Sequence, residues 1–190
     1  PGFDGHPGIP ALVAHALADL EVLMREGVDG VLVENEYDRP HQVTASNEVI
    51  AAMTEITRSV VSASRNIVVG CEILLNDPRA SLQVAAASGA SFIRSDYFVD
   101  RMSRPGYGEF AIDAEGLVRH RNETAADVLI LADIQVKYAT MLEARPLAES
   151  ARRASLYGAD AVVVTGTETG DPPRLADLLE AAVGTAASGK

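Results

Sequence analysis

Apolar positions along the chain switch repeatedly between two spacings. Stretches with apolar residues three and four apart alternate with short continuous apolar runs, which is the signature of helices alternating with buried strands. The first helical stretch, residues 10–26, places Leu12, Val13, Ala16, Leu17, Leu20, Leu23 and Met24 on one stripe, opens on Pro10 and stops at Gly27. A strand is predicted over residues 30–34, then a polar loop over 35–45, then a helix over 46–64 with Val49, Ile50, Met53, Ile56 and Val60 inward. The next strand covers 67–74. Asp77 and Pro78 supply the N-cap and first turn of a helix that ends at Gly89. Further strands are predicted over 92–97, 128–136 and 161–165, with helices over 114–124, from near Pro146 to Gly158, and from an Asp171-Pro172 cap to about Val183. Residues 101–108, with Pro105, Gly106 and Gly108, read as a loop of the active-site type.

A phrase returns three times: Gly27-Val28-Asp29-Gly30, Gly89-Ala90-Ser91-Phe92 and Gly158-Ala159-Asp160-Ala161, each closing a helix and opening an apolar run. The spacing leaves room for one more strand between successive copies, and the runs 67–74 and 128–136 fill it. Strand–helix alternation of this kind implies a parallel sheet with right-handed crossovers.

Strand parity chooses between an open sheet and a barrel. In 128–136, Val128, Ile130, Ala132, Ile134 and Val136 form one wholly apolar face, while Leu129, Leu131, Asp133, Gln135 and, just beyond, Lys137 share the other. Glu72 and Asn76 share a parity, as do Arg94 and Asp96. One face apolar, the other turning polar toward the C-terminal end, is the pattern of an α/β (β/α)8 TIM barrel, with helices outside and functional groups at the mouth. An open sheet buries both faces against helices and would not bury so many charges on one side. A complete barrel needs ~250 residues. Residues 1–190 are therefore expected to be the interior part of a single barrel domain, with strands two to six present and strands one, seven and eight outside it.

The net charge of −11 argues against nucleic acid and against an electrostatic hold on anionic lipid. A single cysteine, Cys71, fits a reducing cytoplasm and excludes an internal disulfide framework. No apolar run is long enough for a membrane span, and no large exposed apolar stripe or basic amphipathic helix is evident. The partner called for is a small-molecule ligand, with a homo-oligomer open.

Glu34, Glu72, Arg94, Asp96, Asp133 and Lys137 fall at the C-terminal ends of four successive strands, which converge in a barrel. Carboxylates beside Lys and Arg shift one another's protonation and can act as acid, base or electrostatic clamp. Lys137 is the most suggestive: a Schiff-base nucleophile, an oxyanion stabiliser or a phosphate ligand. The competing reading is a structural ion-pair network. Asn35, Asn76 and Gln135 are candidate substrate ligands. So are Thr165, Gly166, Thr167 and Gly170, whose loop can offer N–H and hydroxyl groups to a phosphate, although an ordinary turn explains it equally well. Cys71 has helix-facing parity and reads as a core residue. His41 lies in the loop after the 30–34 strand and is a weaker acid–base candidate. His6, His15, His41 and His120 have no zinc-ligand spacing, and the sequence calls for no metal or cofactor.

At these strand ends the chain resembles the BtpA (BtpA/SgcQ) family of ribulose-phosphate-binding-type barrels. The matching pieces are Pro1-Gly2-Phe3-Asp4-Gly5, Gly27-Val28-Asp29-Gly30 leading to Val33-Glu34-Asn35, and Leu74 with Asn76-Asp77. They continue with Phe92-Ile93-Arg94, Ala132-Asp133-Ile134, Val136-Lys137, Gly166 with Thr169-Gly170, and Pro172-Pro173. Glu72 and Asp96 stand where the family pattern leads one to expect asparagine, and Tyr138 where histidine is usual. The resemblance implies a (β/α)8 barrel and leaves two functions open. One is an enzyme (a lyase, isomerase or hydrolase) acting on a small polar metabolite such as a phosphorylated sugar or nucleoside-like compound. The other is an assembly factor, since one group of members is linked to photosystem I biogenesis.

Overall fold

The computed structural model describes residues 1–3 and 5–189. Asp4, part of the motif at residues 1–5, and Lys190 lie outside the described residues. In chain order the elements are α1 (Ile9–Arg25), β1 (Gly30–Glu34), α2 (Asn47–Ala63), β2 (Val68–Glu72), α3 (Pro78–Ser88), β3 (Phe92–Ser95), β4 (Met102–Arg104), β5 (Gly108–Phe110), α4 (Ala114–Thr124), β6 (Leu129–Asp133), β7 (Thr140–Met141), α5 (Leu147–Leu156), β8 (Ala161–Val163) and α6 (Leu175–Ala186). They fall into two units, Pro1–Arg94 with Arg121–Leu129, and Ser95–His120 with Ile130–Lys190.

In the first unit, β1 and β2 run parallel from the pair Gly30/Val68 to the pair Glu34/Glu72. β2 and β3 run parallel through Gly70/Phe92 and Cys71/Ile93. α1 packs on α2 and α2 on α3. Leu20, Val60 and Val69 form a core that Leu17, Met24, Val31 and Val33 complete. The helix ends carry the caps their sequences promise. Ser46 Oγ accepts from Val49 N at 3.3 Å, and Asp77 Oδ1 accepts from Ala80 N at 3.0 Å. Gly89 closes α3 with φ +83°, a left-handed turn that favours glycine. Gly70 sits in mid-strand because a Cβ there would lie 2.2 Å from the Phe92 ring. Cys71 is wholly buried on the helix side, and its Sγ donates to the Ser81 carbonyl at 3.4 Å. Burial, followed by the Glu72 charge, pushes its thiol up to about 12. The core role read from its parity holds.

In the second unit, β6 and β8 run parallel from Leu131/Ala161 to Asp133/Val163. Residues 101–108, expected as a loop of the active-site type, instead form most of the antiparallel hairpin β4–β5, and β7 adds to it in the order β5-β4-β7. Three residues per strand give no readable alternation, so the pairing is set by tertiary contact. β6 also ends earlier than its apolar pattern suggests. The backbone turns at Gln135, with φ +49°, so the shared parity of Asp133, Gln135 and Lys137 stops at Asp133. The last helix starts later than an Asp171-Pro172 cap would place it. Arg174 takes the N-cap position and pairs with Asp177 at 2.6 Å. α5 packs on α6, and a Cβ at Gly184 would lie 2.0 Å from the Ala148 carbonyl oxygen. α6 exposes Leu175, Leu179 and Val183, an apolar row that the sequence reading did not anticipate. Among the described residues, no helix is long and apolar enough to cross a membrane.

Candidate functional site

The strand ends of each unit carry their own polar cluster. In the first unit the register that pairs Glu34 with Glu72 also brings the next strand's Arg94 alongside. Arg94 Nη1 lies 3.3 Å from Glu34 Oε1 and 3.7 Å from Glu72 Oε2. Glu72 is buried, while Glu34 and Arg94 keep partial exposure, so the cation is shared between two carboxylates at a half-open strand end.

Asn35 and Asn76 are placed differently from each other. Asn35 is buried and acts as a clamp. Its Oδ1 accepts from Leu74 N at 2.7 Å, and its Nδ2 donates to Asp38 Oδ2 at 3.2 Å and to the Leu74 carbonyl at 3.4 Å. That occupies both amide hydrogens and ties the segment after β1 to the segment after β2. Asp77 reinforces the tie, accepting from Ala45 N at 3.0 Å with its second oxygen. Asn76 is half-buried in the turn before α3, and its Oδ1 is enclosed without a hydrogen-bond partner. His41 donates from Nε2 to the Glu36 carbonyl at 3.1 Å, within the loop after β1.

In the second unit, Asp96 follows β3 and Asp133 ends β6. Both are buried, Asp133 completely. The residue after Asp96, Tyr97, is one that sequence reasoning passed over. It is fully buried, has φ +55° and stacks on Phe110 with ring centroids 4.7 Å apart. Arg104 Nη1 donates to its phenol oxygen at 3.5 Å. Burial raises the phenol above its ordinary range, Arg104 pulls it back, and the charges of Asp96 and Asp133 push it up again. The phenol therefore stays protonated at neutral pH.

A buried scaffold sets this cluster in place. Asp100 Oδ2 accepts from Gln135 N at 2.8 Å, and its Oδ1 accepts from Ser150 Oγ at 2.7 Å. Gln135 Nε2 donates to the Arg145 carbonyl and to Ser150 Oγ, so its side chain lies against the start of α5 rather than beside Asp133. Three of the four non-glycine residues with positive φ among the described residues are Tyr97, Gln135 and Tyr138, all just past β3 and β6. Backbone held in this sparsely populated region concentrates at functional sites.

Lys137 is half-buried in the turn beyond β6, next to exposed Tyr138. Tyr138 reaches the loop after β8: its hydroxyl donates to Thr169 Oγ1 at 3.2 Å and accepts from Thr169 N at 2.7 Å, which lowers its pKa. In that loop Thr165 and Gly166 are half-buried, while Thr167 and Gly170 are exposed. Thr167 Oγ1 donates to Asp171 Oδ2 at 2.9 Å, and a Cβ at Gly166 would lie 2.4 Å from the Asp171 carbonyl oxygen. The Thr167 hydroxyl and the Thr169 N–H are thus engaged within the protein, and α6 begins several residues later.

Parallel strands joined by helices, with carboxylates and arginine gathered at their C-terminal ends, define an α/β protein of the TIM-barrel type. The fold resembles that of a Burkholderia cenocepacia protein provisionally named a phosphonomutase, with TM-score 0.51 and 16% identity, covering 76% of this chain and 63% of that one. The chain belongs to the BtpA family, whose model matches residues 1–188. It is 35% identical over 175 residues to the photosystem I biogenesis protein BtpA of Synechocystis sp., covering 90% of this chain and 59% of that protein. It is 31% identical over 172 residues to the sgc region protein SgcQ of Escherichia coli, covering 90% of this chain and 63% of that protein.

Proposed function

We propose that this protein is an enzyme that transfers protons on a small polar metabolite of the phosphorylated-sugar or nucleoside-like class, with Asp133 and Asp96 as the acid–base pair. The observation that carries the reading is the burial of these two carboxylates in the unit that also buries Tyr97, whose phenol feels the charge of both. Acid–base catalysis uses buried carboxylates whose protonation is set by neighbouring groups. Lys137, in the same unit, would meet developing negative charge; within the first unit, Glu34 and Glu72 hold Arg94 in place at that unit's own strand end. Asn35 would position the loops rather than touch substrate, because its amide is already occupied.

The test is turnover of a panel of phosphorylated sugars and nucleosides, followed by NMR, for the wild type, Asp133→Asn and Asp96→Asn. General acid–base chemistry predicts a loss of about a hundredfold or more in each variant. Equal turnover by wild type and Asp133→Asn contradicts the assignment. Borohydride trapping with carbonyl substrates tests Lys137 as a Schiff-base nucleophile, and absence of an adduct removes that sub-case.

A second reading, a non-enzymatic assembly factor, draws support from the name of the Synechocystis relative and from the exposed Leu175, Leu179 and Val183 on α6. It requires that the cellular role survive Asp133→Asn and Asp96→Asn and fail when the α6 row is made polar.

A further inference from the structure

We propose that Arg104, carried on the β4–β5 hairpin, is the anion-receiving residue of the second unit's site, and that it holds a phosphate or carboxylate group of the ligand together with the Tyr97 hydroxyl. The inference rests on the enzyme reading for the identity of the site, and adds which charged group of the ligand is recognised and by what.

Arg104 differs from its hairpin neighbour Arg101 and from the arginines before and along α5. Arg101, on the same hairpin, pairs with Glu109 at 2.6 Å, and Arg145 pairs with Glu143 and lies 3.8 Å from Asp100. Arg152, Arg153 and Arg174 also have carboxylate partners within their helices. Among the described residues, Arg104 has no ion pair, in a chain of net charge −11 where acidic partners are plentiful. Its guanidinium lies 5.8 Å from the Tyr107 ring centroid and 5.9 Å from that of Tyr138. Two aromatic faces hold a cation by its charge while leaving its edge N–H groups to donate elsewhere.

The edge that is used points at Tyr97. Arg104 Nη1 donates to the phenol oxygen at 3.5 Å, which leaves the phenol's own proton for a further acceptor. A phosphate or carboxylate oxygen placed there meets a guanidinium fork and an O–H donor, the pairing that makes charge-assisted bonds strong. The loop after β8 is the less suited cradle, because Thr167 and the Thr169 N–H are already bonded within the protein and Glu168 and Asp171 add negative charge. Tyr138 joins the two regions, stacking near Arg104 and bonding to Thr169, so an anion on Arg104 would be felt in that loop.

The chain has five tyrosines and no tryptophan, and three of the five, Tyr97, Tyr107 and Tyr138, contact the Arg104 side chain, so tyrosine emission is sensitive to an anion bound there. The experiment titrates the full chain with inorganic phosphate and, separately, with malonate, reading tyrosine fluorescence and calorimetric heat. Wild type is expected to bind at least one of the two saturably. Arg104→Ala should weaken binding by at least tenfold, Arg104→Lys should retain part of it, and Arg101→Ala on the same hairpin should bind like wild type. Preference between the two anions tells phosphate from carboxylate recognition. Unchanged binding by a folded Arg104→Ala, an equal loss in Arg101→Ala, or no saturable binding to wild type overturns the proposal. Because no turnover is read, Arg104-dependent binding by a protein that converts no metabolite would retain this inference and remove the enzyme reading. Catalysis that ignores Arg104 would do the reverse.

Discussion

Ser150 Oγ donates to Asp100 Oδ1 at 2.7 Å, joining the first half of α5 to the segment that follows β3. The other Asp100 oxygen accepts the Gln135 backbone N–H, two residues past Asp133, so a single buried carboxylate fixes the turn on which the proposed acid–base group stands. Asp100→Ala would leave the Ser150 hydroxyl and the Gln135 N–H without their acceptor and remove the buried charge 3.8 Å from Arg145. Removing one partner of a buried charged network costs about 3–5 kcal/mol. Urea unfolding of the variant is expected to show a loss of that order. A loss below about 1 kcal/mol, the range of exposed pairs, would contradict the network.

Asn35 offers a separation of structure from ligand contact. Asn35→Ala leaves the Leu74 N–H without the oxygen it reaches at 2.7 Å. The cost of an unmet buried donor is about 1–3 kcal/mol. The expected result is a lower urea midpoint with ligand affinity at saturation of the fold unchanged. Loss of affinity without loss of stability would return Asn35 to the ligand-binding set.

At Gly184 two effects oppose each other. Replacing a helix-interior glycine by alanine gains about 1 kcal/mol in helix propensity, and Gly184, in the last turn of α6, gains at most that. Here the added Cβ would lie 2.0 Å from the Ala148 carbonyl oxygen, a backbone atom that can yield only if α5 moves away from α6. Overpacking of this kind costs about 1–3 kcal/mol, so Gly184→Ala is expected to lower the melting temperature. A raised melting temperature would show that α5 and α6 do not approach as described.

Cys71 predicts an alkaline signature. The folded chain keeps its thiol proton to about pH 12, whereas an ordinary cysteine thiol loses it near 9.0. Between those values the unfolded chain has released a proton that the folded chain retains, so stability falls as pH rises, by up to about 1.4 kcal/mol per unit. Below the unfolded value both states are protonated and the group has no effect. Comparison of wild type with Cys71→Ala isolates this contribution: the variant should show the shallower alkaline decline, and equal slopes would contradict the burial of the thiol.

The repeating frame was readable because it rests on local chemistry. Pro10, Ser46, Asp77 with Pro78, and Gly89 mark helix ends by capping and turn preference alone, and the elements begin and end beside them. The carboxylates Glu34, Glu72 and Asp133 were found because each sits on a regular strand, where alternation reports the face. Alternation carries no information past the point where φ turns positive, which is why Gln135 was placed beside Asp133 although its side chain bonds to the start of α5. Tyr97 and Arg104 were passed over for related reasons. One follows a strand end in a left-handed conformation, and the other lies on a three-residue strand whose partner β7 comes from far along the chain. The apolar row on α6 was not foreseen because a helix stripe tells which residues share a face, not whether anything covers it.

The most direct test of the central claim, that Asp96, Tyr97 and Asp133 form a working site, is a crystal structure of the protein soaked with a metabolite it is found to bind. Ligand density is expected within hydrogen-bond distance of the Tyr97 hydroxyl and at least one of the two carboxylates. Density confined to the Glu34–Arg94 strand end or to the loop after β8, with Tyr97 and Asp133 untouched, would contradict it.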